Sequence, residues 1–150
     1  MERYKIKFLI MAEFTNEANS TAIKDGIATA GQPAEPFEAG ICFWDTITSA
    51  MYLAVMAHSS GYRCVADVSG SAIKDYSPGN ADLHKAWTIR DMQYWLNSVM
   101  QTVTYDYTGT IYTLTILGDD WTGNDADETQ ALAEAFVSLL NDVNFNDYVA

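Results

Sequence analysis

Few residues of this chain are equipped for covalent chemistry. Its 150 residues include two cysteines, Cys42 and Cys64, and two histidines, His58 and His84. Cys42 stands in the stretch GICFWDTITSAM, Gly40 to Met51. After Asp45, the apolar residues Ile47, Ala50, Met51, Ala54 and Val55 fit helical spacing, with Asp45 as the N-cap and Gly61 as the stop. Cys42 would then lie just before a helix N-terminus, where unbonded amides and the helix dipole favour a thiolate. In that reading Cys42 is a nucleophile, His84 its base, and Asp91 or Asp106 the group that orients the imidazole. The competing expectation is a core role, with Cys42 packed beside Phe43 and Trp44, because free cysteine is among the most buried residue types. His58, near the end of the same expected helix, would meet the negative end of the dipole.

The order of these features carries a resemblance. Gly40 and Cys42, an apolar helix, the glycine-led GYRCVADVSG (Gly61–Gly70) and then HKAW (His84–Trp87) resemble the core of transglutaminase-like enzymes over residues 40–87. The resemblance implies papain-like chemistry. Cys42 would attack an acyl carbon and His84 would take its proton, with Asp91 or Asp106 behind the imidazole.

A second constellation is acidic. DDWTGNDADE places Asp119, Asp120, Asp125, Asp127 and Glu128 within ten residues. Hard cations such as Ca²⁺ bind several such oxygens, so a calcium-binding module is one expectation, although EF-hand spacing is absent. The competing reading is a strand-to-helix connection in which Asn124 or Asp125 caps the helix and the acids complement its dipole. The cysteines and histidines lack zinc-finger spacing. Neither GxxxxGK nor GxGxxG occurs, and Ser69 and Ser71 beside Gly70 lack a nucleophile-elbow pattern. Outside the calcium alternative, no metal and no cofactor is therefore expected.

Charge narrows the partners. Residues 1–90 hold 8 basic and 10 acidic residues; residues 91–150 hold no Lys or Arg and 10 acidic residues. Nucleic-acid binding needs Lys and Arg to neutralise phosphates, and anionic lipid needs the same, so both are excluded as expectations. The longest apolar run, AMYLAVMA, falls well short of the roughly 20 residues a spanning helix needs. The N-terminal Arg3, Lys5 and Lys7 precede FLIMAEF, but Glu13 interrupts the apolar part and no small-residue cleavage site follows. A signal peptide is not expected, and the expected location is the cytoplasm (host cytoplasm or virion for a phage-encoded chain). There the cysteines would be reduced.

The elements that must position these residues follow from periodicity. Arg3–Phe14 alternates as a strand. A helix capped by Thr15 or Asn16 carries Ala18, Ala22, Ile23 and Ile27 and stops at Gly31 and Pro33. After the Asp45 helix come a strand over Tyr62–Val68 and a turn-rich connection over Ser69–His84. Thr88 and Asp91 approach a capping box for a helix with the stripe Met92, Trp95, Leu96, Val99 and Met100. Val103–Leu117, bent at Gly109, reads as a β-hairpin. Ala126–Val143 is amphipathic through Leu132, Phe136, Leu139, Leu140 and Val143. The order β-α-α-β-α-β-β-α implies a single α+β domain over residues 1–150, with helices in one layer on a mainly antiparallel sheet.

The leading functional expectation is a non-enzymatic interaction or assembly protein of the phage-accessory, phage-structural, immunity or charge-mimic inhibitor kind. Its acidic C-terminal third would meet a protein partner of basic character, or line one side of a homo-oligomer. Tyrosine, tryptophan and carboxylates suit such a face. The expected contact residues are Tyr105, Tyr107, Tyr112, Asp119, Asp120, Trp121, Asp125, Asp127 and Glu128. The competing reading packs the hairpin tyrosines under helices. The cysteine enzyme using Cys42, His84 and Asp106 is the alternative.

Overall fold

The structure, a computed structural model, describes residues 13–58, 61–65, 73–77 and 79–150. The strand expected at Arg3–Phe14 lies almost wholly outside these residues, as do Ser69 and Ser71. The fold is α+β, with three helices and two antiparallel sheets of five and three strands among the described residues. The chain divides into two compact units, residues 1–20 with 35–86, and residues 21–34 with 87–150.

The first unit is built on strands β1 (Cys42–Asp45), β2 (Ala50–His58), β3 (Gly61–Val65), β4 (Ile73–Tyr76) and β5 (Leu83–Lys85), in the spatial order β4-β3-β2-β1-β5. The helix expected from Asp45 to Gly61 is therefore absent. In its place β1 and β2 form a hairpin, with Asp45 opposite Ala50 and Cys42 opposite Leu53. The spacing misleads for a physical reason: Met51, Tyr52, Leu53 and Ala54 are all buried, because β2 lies inside the sheet with a core on each face. A strand buried on both faces is apolar throughout and loses its alternation, so it also satisfies helical spacing. The connection expected over Ser69–His84 likewise contains β4 and the start of β5. One face of the sheet buries Phe14, Cys42, Met51, Leu53, Val65 and Ala86. The other packs Phe43 against the rings of Phe37 and Tyr76 in edge-on contacts, 4.8 and 5.4 Å between centroids.

Helix α1 (Glu17–Thr29) begins where Asn16 Oδ1 accepts a bond from the Asn19 amide at 2.8 Å. Its Ile23 and Ile27 enter the core of the second unit. That unit continues with α2 (Ile89–Val99), β6 (Val103–Thr108), β7 (Ile111–Ile116), β8 (Asp119–Asn124), α3 (Glu128–Leu140) and a 3-10 turn over Phe145–Tyr148. The expected capping box forms on α2: Thr88 Oγ1 accepts from the Asp91 amide and the Asp91 carboxylate accepts from the Thr88 amide, both at 3.1 Å. The expected β-hairpin is β6–β7, and β8 adds a third strand from what reads as a strand-to-helix connection. Inward residues of β8 are Trp121 and Gly123. A Cβ on Gly123 would lie 2.0 Å from the Ala131 carbonyl oxygen, so only glycine lets α3 come this close. The cap of α3 is Asp127, two residues beyond the expected Asp125, and the helix ends at Leu140. Val143 consequently lies past the helix and is exposed.

Candidate functional site

Cys42 and His84 do come to neighbouring strands. Trp44 is opposite His84 in the β1–β5 pairing, and the Ala86 amide donates to the Cys42 carbonyl at 2.9 Å. Cys42 and His84 therefore occupy diagonal positions on one sheet face. Cys42 is a strand residue, and among the described residues no helix begins beside it to supply the expected activating environment. It is 3% exposed, inside the cluster of Met51, Leu53, Val65 and Ala86. Asp106 and Asp91 lie in the second unit, where Asp106 accepts from the Thr108 hydroxyl at 2.8 Å and Asp91 completes the α2 cap. Cys42 and His84 thus share one face of the first unit's sheet, while Asp106 lies on the outward side of β6 and Asp91 at the start of α2. Cys64 is fully buried, and burial together with Asp75 pushes its thiol up to about 12. His58 ends β2, so its expected place at a helix C-terminus does not exist.

The acidic stretch disperses in the same way. Asp119 accepts from the Tyr148 hydroxyl at 2.5 Å, and Asp120 accepts from the Thr115 hydroxyl at 2.6 Å. Asp125 accepts from the Asp127 amide at 2.8 Å. Asp127 accepts from the amides of Thr129 and Gln130 at 2.9 and 3.3 Å, which satisfies two of the unbonded donors that start α3. Glu128 sits in the first turn, where a negative charge complements the dipole. Among the described residues, no three His, Cys, Asp or Glu side chains gather as a cation would need.

The aromatic residues expected at a partner face point the other way. Tyr112 and Trp121 are buried in the core beneath the helices. Tyr112 accepts from the Gln93 side-chain amide at 3.1 Å, and the Trp121 indole donates to Asp142 at 2.9 Å. Tyr105 donates to Asn97 Oδ1 at 2.8 Å, and Tyr107 donates to the Asp125 carbonyl at 3.0 Å. Both are half-buried on the helix side of the sheet. Burial, and then the neighbouring Tyr112, raise the Tyr105 hydroxyl to about 12, so it stays a donor.

With the tyrosines turned inward, strand alternation sends another set outward. Thr104, Asp106 and Thr108 of β6, Ile111, Thr113 and Thr115 of β7, and Asp120, Thr122 and Asn124 of β8 share the opposite face. The register aligns them in three rows: Thr104–Thr115–Asp120, Asp106–Thr113–Thr122 and Thr108–Ile111–Asn124. Seven of the nine are exposed, and the other two, Thr113 and Thr115 of the central strand, are half-buried. The pattern was available in the sequence: seven of the nine are threonine or aspartate, recurring at every second position, with Ile111 and Asn124 the exceptions at the turn end.

The first unit holds a group that sequence reading assigned to a helix cap. The Asp45 side chain is 3% exposed. It accepts from the Tyr76 hydroxyl at 2.6 Å, the Ile47 amide at 2.9 Å and the Lys74 ammonium at 3.3 Å. Burial alone would raise this carboxyl, but those bonds outweigh it and hold the group below its ordinary value. Lys74 also lies 5.0 Å from the Tyr76 ring centre. Asp45, Lys74, Tyr76, Asn80 and Asp82 line an open cavity of about 330 Å³.

Comparison of the chain with protein-family models, with curated proteins and with solved structures returns no match. No helix among the described residues is long and apolar enough to cross a membrane.

Proposed function

We propose that this chain is a non-enzymatic interaction module that meets a basic protein through the outward face of β6–β7–β8. One observation carries the reading. That face sets Asp106, Asp120 and Asn124 among five threonines, with no lysine or arginine in any of its three strands. The second unit around it contains two basic residues, Lys24 and Arg90, against eleven acidic ones, a net charge of −9. Threonine is stiff at χ1, and its hydroxyl both donates and accepts. Such a face loses little side-chain freedom on contact, which lowers the cost of binding. The negative field around it speeds encounter with a positive partner.

The test uses a fluorescent Lys/Arg-rich peptide titrated by anisotropy at 50 and 300 mM NaCl. Binding is expected to weaken steeply with salt. Exposed charges each contribute about 0.2–1 kcal/mol, so Asp106→Asn with Asp120→Asn weakens it roughly two- to thirtyfold. An equal charge loss at Glu13 and Glu38 of the first unit should matter less. Binding that ignores salt, or that responds equally to both pairs of substitutions, overturns the proposal.

A further inference from the structure

We infer that the free edge of β6 takes up an extended segment of the basic partner as a fourth strand, with Lys or Arg side chains alternating onto the face of Asp106. The inference rests on the functional reading above and adds the mode of recognition to it.

The edge is open and regular. Among the described residues β6 pairs with β7 alone, in unbroken register from Val103–Ile116 to Thr108–Ile111. The strands are joined by the two-residue loop Gly109–Thr110, and Gly109 has a φ of 68°, as the first central position of a type II′ turn requires. The hydrogen bond across such a turn makes Thr108 and Ile111 a bonded pair. Bonded and non-bonded pairs alternate along an antiparallel ladder, so Asp106–Thr113 and Thr104–Thr115 are bonded as well. The amides and carbonyls of Val103, Tyr105 and Tyr107 are then directed away from β7, along the free edge. Among the described residues no backbone bond from another element meets them.

Among the described residues the other sheet edges are guarded and β6 is not. Proteins protect edges with short strands and charged side chains, especially lysine. β5 has three residues, and the four-residue β4 carries Lys74 and Asp75. β8 begins with two aspartates. β6 has six residues, no proline, no lysine and a single charge, Asp106. An edge left this open is a template for strand addition, in which main-chain bonds supply affinity and alternate side chains supply specificity.

Charge decides the occupant. A second copy would bring another unit of net charge −9 to the same edge, and an antiparallel β6–β6 pairing would bring the two Asp106 side chains close together. A strand with Lys or Arg at alternate positions places its cations beside Asp106, on the face that also holds Asp120. Beside Val103 a groove of about 650 Å³ opens, lined by Asn97, Met100, Gln101 and Leu117. It has room for a side chain that the added strand directs to the opposite face.

The experiment uses the whole chain and a peptide of alternating Lys and Thr. A matched peptide is N-methylated on alternate amides, once in each of the two registers. Binding is read by anisotropy, and amide hydrogen exchange is read at Tyr105 and Tyr107. Strand addition predicts that one methylated register binds at least about tenfold more weakly while the other binds normally. It also predicts slower exchange at Tyr105 and Tyr107 in the complex. Salt-sensitive binding that both methylated peptides retain, with exchange at these amides unchanged, overturns strand addition and leaves the acidic-face reading standing. No salt-sensitive binding of any peptide removes both. Protection of the two amides in the protein alone, together with a dimer in solution, would assign the edge to a second copy and overturn the inference.

Discussion

At the scale of single residues, two side chains were set in contrasting roles by the same short stretch. Cys42 read as a nucleophile only because Asp45 read as a helix cap. Asp45 does bond backbone amides, but those of Ile47 and Thr48 in the β1–β2 turn, so the capping chemistry was legible and the element it served was not. Cys42 in a closed apolar cluster should be alkylated at the rate of unfolding, read by peptide mass with and without denaturant. Rapid labelling of the native protein that His84→Ala slows would restore the nucleophile. Asp45 carries the larger structural consequence. Asp45→Ala leaves the buried Tyr76 hydroxyl without its carboxylate acceptor, and a buried unsatisfied group costs about 1–3 kcal/mol, so denaturant melts should show a loss of at least that size. The pH dependence has a defined sign. The folded carboxyl is held below its unfolded value of about 3.9, so its stabilisation is complete above that pH and is lost as pH falls through the lower folded value. Asp45→Asn should flatten that acid limb. An unchanged limb would remove Asp45 as its source.

At the scale of elements, legibility followed solvent. The β6–β7 hairpin and the stripes of α2 and α3 were readable because each has one wet face, and Thr104, Asp106 and Thr108 alternate cleanly against Val103, Tyr105 and Tyr107. β1 and β2 were not, because burial on both faces erases the period that separates strand from helix. β8 was hidden differently: its aspartates and glycine are poor strand formers, and Gly123 is there for the approach of α3 rather than for the sheet. Its turn also departs from the usual signal. Leu117 and Gly118 have φ of 53° and 83°, a type I′ pair, in which asparagine or aspartate normally holds the first place. Leucine in the left-handed region costs about 1–2 kcal/mol, and here it is 64% exposed with little burial in return. Leu117→Asn is therefore expected to stabilise the chain by about 0.5–1 kcal/mol, a gain smaller than the full strain because the unfolded state also changes. A lower denaturation midpoint for this variant would show that Leu117 makes contacts worth more than its strain.

At the scale of the whole molecule, the sequence showed the charge but not the surface that carries it. Ten acids without a lysine or arginine after residue 90 were plain to read. Which of them share a face depended on strand register: Asp106 and Asp120 face outward together, whereas Asp125 and Asp127 serve the start of α3. A chain of net charge −12, with most of it in one unit, repels itself in the folded state more than in the expanded one. Screening shortens the reach of that repulsion from about 30 Å at 0.01 M salt to about 8 Å at 0.15 M. The melting temperature should therefore climb by several degrees between low salt and about 0.3 M NaCl. Thr122→Lys separates this repulsion from general salt effects. It places one cation on the outward face, in the row of Asp106 and on the strand of Asp120, and so relieves part of the repulsion before any salt is added. Its low-salt melting temperature should lie above that of the parent, and its gain with NaCl should be smaller. A parent melting temperature that stays level or falls with salt would mean that the charge is spread too widely to strain the fold. Equal salt gains in parent and variant would place the repulsion away from this face.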